Sequence, residues 1–189
     1  MSEKREKFIS PVGEARWAHV HFPKAAFVDD RGIAKGSPRY QIDVYFDSTD
    51  PEWAIWAKNV MDRLRALPEQ IDKNSGNVVN KQTPIKKEFD ENNAPTGKYY
   101  ATFKTSDKFK PGVFNIYGQA IPETILIGNG SKVKVNYSAN EYSAFGGGIN
   151  FYLNAIQVVE LVEYASKTAE AYGFDVIDSP PVDEGDIPF

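Results

Sequence analysis

Residues 97–104 read GKYYATFK, and their alternation decides the fold class. Successive side chains of an extended chain point to opposite faces. Lys98, Tyr100, Thr102 and Lys104 therefore share one face, while Tyr99, Ala101 and Phe103 share the other, which suits a core. The same period recurs upstream. In ARWAHVHF (15–22) it sets Ala18, Val20 and Phe22 against Trp17, His19 and His21, and in RYQIDVYF (39–46) it gathers Tyr40, Ile42, Val44 and Phe46. Downstream it returns in VFNIY (113–117), SKVKVNY (131–137) and INFYLNAIQVVELV (149–162). Turn signals separate these runs at Lys110-Pro111-Gly112, Gly128-Asn129-Gly130 and Gly146-Gly147-Gly148. Five to six short strands joined by such turns predict a mainly β protein, built as a small closed or partly open barrel.

One segment breaks the period. STDPEWAIWAKNVMDRLRAL (48–67) offers Ser48, Thr49 or Asp50 as an N-cap, then Pro51 at the first helical position. Trp53, Trp56, Val60, Leu64 and Leu67 follow at three- and four-residue spacing, predicting one α-helix that covers the barrel until Pro68 stops it. Residues 68–97 read as a long polar loop, a kind of segment that is usually functional or disordered. The resulting division is a β domain over 1–164, a short linker over 165–174 with room for a helical turn or two, and an acidic tail over 175–189 expected to lack fixed structure.

Composition narrows the function. Among 189 residues there is no cysteine, which removes disulfides, thiolate catalysis and cysteine-ligated metals. No apolar run approaches the roughly 20 residues of a membrane span. The charged start MSEKREKFIS predicts no secretory signal, so a cytoplasmic location is expected. The net charge of -4 conceals a division. Setting aside the five acids from Asp175 onward leaves 22 bases against 21 acids, a body of about neutral charge carrying an acidic tail.

Neither a nucleophile elbow nor a phosphate-binding loop is present, and His19 with His21 lacks an evident third ligand, so no cofactor, metal or catalytic residue is expected. Bases and aromatics do interleave on the strands. Lys98, Tyr100 and Lys104 share one strand face, and Lys132, Lys134 and Asn136 share another while Val133, Val135 and Tyr137 turn inward. Lys86 and Lys87 beside Phe89, Lys108 and Lys110 around Phe109, and the ring of Trp17 add to the set. Ammonium groups that follow phosphates, next to rings that accept any base, suit single-stranded nucleic acid.

The end of the chain gives a second handle. Asp183, Glu184 and Asp186 precede Ile187, Pro188 and Phe189. Phe189 can fill an apolar pocket, its carboxylate can meet a cation, and the acids can steer toward a basic rim. The same acids can also compete for the body's own basic surface.

Asp186-Ile187-Pro188-Phe189 after an acidic run resembles the C-terminal tip of bacterial single-stranded DNA-binding proteins. The body instead resembles a phage family of OB-fold single-stranded DNA-binding proteins. The resemblance is carried by PIKKEFDENNAPTGKYYATFKT (84–105), the turn Gly118–Glu123, GNGSKVKVNY (128–137) and GGGINFYLNAIQVVELVEY (146–164), and it extends over roughly 10–164. It implies an OB barrel that binds single-stranded DNA without sequence preference, as monomer or homodimer, in the host cytoplasm. It also implies a tail that recruits DNA polymerase and other replication, recombination and repair enzymes. Two rival readings stand beside it: a Mg-dependent nuclease using clustered acids, and a β-rich virion component.

Overall fold

The computed structural model describes residues 6–163. Eight strands form one sheet: β1 (Lys7–Ile9), β2 (Gly13–Lys24), β3 (Arg39–Asp47), β4 (Ile85–Phe89), β5 (Pro95–Ser106), β6 (Gly112–Asn115), β7 (Lys132–Tyr142) and β8 (Gly148–Glu160). The single α-helix, α1, spans Pro51–Ala66. Five long strands close on themselves in the order β2-β3-β5-β8-β7 and back to β2. All contacts in this ring are antiparallel except β5–β8, which is parallel. That Greek-key ring is the OB fold. β1 and β6 extend it along β7 and β8, and β4 adds to β5.

The barrel interior takes the inward half of each alternation. Ile42, Val44, Phe46, Ala101, Phe103, Val133, Val135, Phe151, Leu153 and Ile156 are buried. Gly13 is required where β2 crosses close to β3, because a Cβ there would lie 2.4 Å from Val44 Cγ1. Asp50 caps α1 by accepting the Glu52 amide at 2.9 Å, and Leu67 leaves it in extended backbone ahead of Pro68. Trp53, Trp56, Val60 and Leu64 are the buried stripe of α1, and Leu67 packs at its edge. Trp56 meets Phe46 at 5.2 Å and Phe151 at 5.8 Å between ring centroids, and donates its indole N–H to the buried Tyr137 hydroxyl at 2.8 Å. The helix thus seals one side of the barrel with two indole rings at its N-terminal half and the aliphatic Val60 and Leu64 beyond them.

Two sequence expectations need correction. Residues 68–97 are not one long loop: Gln70–Ile71 pairs with Val78–Val79, and β4 and the start of β5 follow. Their polarity concealed strand structure because β4 buries only Ile85 and keeps its other residues at the surface. The expected barrel of five to six strands stands, five of them closing the ring, while the short flanking β1 and β4 are too brief or too polar to show a period in the sequence. The simple alternation over 15–22 also fails. A bulge after Arg16 puts Trp17 in left-handed backbone (φ 53), so His21 becomes buried while Phe22 is exposed.

Candidate nucleic-acid interface

On the outer face of the barrel four side chains form one row, three of them set opposite one another by cross-strand register. Tyr45 on β3 lies opposite Tyr100 on β5, which lies opposite Lys86 on β4. Arg16 on β2 completes it, with its guanidinium 4.0 Å above the Tyr45 ring. The two tyrosine rings stack at 4.9 Å and 18°, and the Lys86 ammonium lies 5.9 Å from the Tyr100 ring. The row is therefore cation, ring, ring, cation. Directly opposed side chains on one sheet face are in contact range, and Arg16, whose register partner is Asp43, reaches the Tyr45 ring diagonally.

Acids hold the Arg16 end. Arg16 Nε donates to Glu14 at 3.1 Å and Nη1 donates to Glu88 at 2.7 Å. Lys98 Nζ donates to the other Glu14 oxygen at 3.1 Å, and Thr96 donates to Glu88 at 2.7 Å. Burial pushes the Glu14 carboxyl up, but the bonds from Lys98 and Arg16 outweigh it and hold that carboxyl below its ordinary value. Lys98, expected among the DNA contacts, is thus engaged with Glu14.

The opposite end is cationic. Lys104 faces Gln41 on β3 and Tyr152 on β8, with Arg39 two residues further along β3. Burial lowers the Lys104 pKa, and Arg39 and Lys86 lower it further. A like-charged group so placed gains from an arriving anion, because the anion relieves the repulsion. A cleft of about 210 Å³ opens there, between Lys86, Thr102, Lys104, Tyr142 and Asn150.

The other expected residues scatter around this centre. Lys86 and Lys87 diverge, since neighbours on a strand face opposite ways, and only Lys86 reaches the Tyr100 side. Lys132 adjoins Glu14 on the outer face, and Lys134 lies further round the barrel beside Phe114 and Gln157. Lys110 is bonded to Glu123, and Lys108 sits in the turn after β5. Trp17 is 61% exposed beside a concavity of about 320 Å³, its backbone N–H held by Asn129 Oδ1 at 2.9 Å. The tail residues Asp183, Glu184, Asp186, Ile187, Pro188 and Phe189 lie outside the described residues.

Four residues of the centre escaped the sequence reading: Arg16, Arg39, Tyr45 and Tyr152. For three of them the signal was available. Alternation over 39–46 leaves Arg39 and Tyr45 on the outer face, and over 149–162 it sets Tyr152 opposite the buried Phe151 and Leu153. What alternation cannot give is which outer residue faces which across strands.

Among the described residues no three His, Asp or Glu side chains converge to hold a metal ion, and no helix is long and apolar enough to cross a membrane.

No protein-family model matches the chain. It is 25% identical over 199 residues to a single-stranded DNA-binding protein of Enterobacteria phage T3, spanning 93% of this chain and 84% of that protein. A second such protein, from Escherichia phage T7, is 25% identical over 181 residues, spanning 83% and 77%. Among solved structures, gp2.5, a single-stranded DNA-binding protein encoded by bacteriophage T7, superposes with a TM-score of 0.60 at 18% identity, covering 93% of this chain and 98% of that one. The single-stranded DNA-binding protein from bacteriophage Enc34 in complex with ssDNA gives a TM-score of 0.57 at 19% identity, covering 85% and 89%. By sequence the chain is similar to phage single-stranded DNA-binding proteins, and it shares their fold.

Proposed function

We propose that this protein binds single-stranded DNA across the outer face of β2, β3 and β5 and does no chemistry on it. The observation that carries the reading is the row Arg16–Tyr45–Tyr100–Lys86 beside the cationic group Lys86, Lys104 and Arg39. Strands two and three of an OB barrel, here β3 and β5, are the face on which such folds take oligonucleotides. Phosphates would follow the Lys104–Arg39 rim, with bases lying against the rings. Phe145 supports the same reading from the turn between β7 and β8, where it is 84% exposed.

The acidic segment ending in Asp186, Ile187, Pro188 and Phe189 would recruit replication, recombination and repair enzymes, DNA polymerase among them, and would compete with DNA for the basic rim in its absence. The protein would act in the cytoplasm of an infected cell. The test is fluorescence anisotropy with a labelled oligonucleotide, single-stranded or annealed to its complement. Tight binding of the single strand and weak binding of the duplex is expected. Equal affinity for the two, or none for either, would refute the reading.

A further inference from the structure

We infer that Asp43 gives the binding face a base preference, accepting a hydrogen bond from an exocyclic amino group and so favouring cytosine over thymine; this rests on the proposed single-stranded DNA binding. Asp43 stands at the centre of the outer face. It is flanked along β3 by Tyr45 and Gln41, and its cross-strand partners are Arg16 on β2 and Thr102 on β5. Its Oδ1 is buried and has no hydrogen-bond partner among the described residues. Its register partner Arg16 directs Nε to Glu14 and Nη1 to Glu88, lays its plane on Tyr45 and gives no bond to Asp43 Oδ1.

A carboxylate amid this face repels phosphate, so the backbone must run along the Lys86–Lys104–Arg39 side and the bases must lie over Asp43. A buried acceptor without a donor is costly, and a ligand that brings an N–H recovers that cost. Cytosine presents its N4 amino group where thymine presents the O4 carbonyl oxygen. The first donates to Asp43; the second places one acceptor against another. The two bases also differ at N3 and at the thymine C5 methyl, so what isolates the carboxylate is the change in their ratio when Asp43 is replaced.

The experiment compares equal-length oligo-dC and oligo-dT by anisotropy competition at pH 8, with the full-length protein and with Asp43→Asn. An amide both donates and accepts, so it serves either base. The expected result is a dC-to-dT affinity ratio that drops about fivefold or more in Asp43→Asn. An unchanged ratio overturns the inference and leaves single-stranded binding standing, whereas failure of the wild-type protein to bind either oligonucleotide overturns both. An arm that needs no variant uses wild-type protein with oligo-dC and with its N4,N4-dimethyl analogue, which has no N–H to give. Weaker binding of the analogue, again by about fivefold, is expected; equal binding of the two overturns the inference.

Discussion

The Tyr45 and Tyr100 rings lie 4.9 Å apart and 18° from parallel, joining β3 to β5 on the outer face. Arg16 covers the far side of Tyr45 at 4.0 Å, so both faces of that ring are in use. Tyr100 keeps one face under the more distant Lys86 ammonium, a long side chain that can swing aside. A base arriving at this row has one ring to stack on and a rigid support behind it. Tyr45 thus serves as the backing of Tyr100.

Tyr100→Ala is therefore expected to weaken single-stranded DNA binding by about 1–3 kcal/mol, the usual alanine cost of a lost base stack. Tyr100→Phe should keep most of the affinity, since the face and not the hydroxyl does the stacking. Anisotropy titrations checked by thermal unfolding decide it. A folded Tyr100→Ala protein with wild-type affinity would remove Tyr100 from the site.

The lysines should not contribute equally. Lys104 makes no ion pair among the described residues and is crowded by Arg39 and Lys86, whereas Lys110 is already bonded to Glu123. Lys104→Ala should reduce the slope of log affinity against log salt by about 0.7, the release expected for one phosphate contact on a single strand. Lys110→Ala should change it less. Equal slopes for the two variants would show that the Lys104 cluster is not where the phosphates run.

Alternation made the barrel strands legible because each buries one face on a common core. In β5, Ala101 and Phe103 point inward and Tyr100 and Lys104 point outward, as the residue types require. The helix was legible for the same reason, with Trp53, Trp56, Val60 and Leu64 at helical spacing, and the structure picks Asp50 as its cap from the three candidates Ser48, Thr49 and Asp50. β4 was not, since a strand that buries only Ile85 carries too little apolar contrast. Nor was the bulge at Trp17, which depends on Asn129, more than a hundred residues away, holding its amide. For the site, sequence supplied the outward lysines and Tyr100 but not their neighbours. Pairing Tyr45 with Tyr100, or Lys98 with Glu14, is a matter of register between strands far apart in the chain.

Removing residues 175–189 should leave single-stranded DNA affinity unchanged or raise it, because five acids leave a body with cations clustered around Lys104. The same truncation should abolish capture of replication and recombination enzymes by the immobilised protein. Anisotropy and pull-down with purified polymerase report the two halves separately. Weaker DNA binding by the truncated protein would rule out competition between tail and DNA.

The seal between helix and barrel carries a pH limit. Burial of Tyr137 pushes its hydroxyl up to about 12, with the bond from Trp56 and the charge of Arg63 opposing the shift only in part. An unfolded chain releases this proton near pH 10, its ordinary value, while the folded protein keeps it. The unfolded state then binds fewer protons, so stability falls as pH rises. The contribution is complete below pH 10 and is lost between about 10 and 12, on the order of 2–3 kcal/mol. Tyr137→Phe removes the titration but leaves the buried Trp56 N–H without its acceptor. At pH 8 the variant should be less stable, by about 1–3 kcal/mol for the orphaned donor. Between pH 9 and 11 it should lose less stability than the wild-type protein. Urea unfolding at both pH values measures the difference, and parallel alkaline losses in the two proteins would mean that Tyr137 is not the group that titrates.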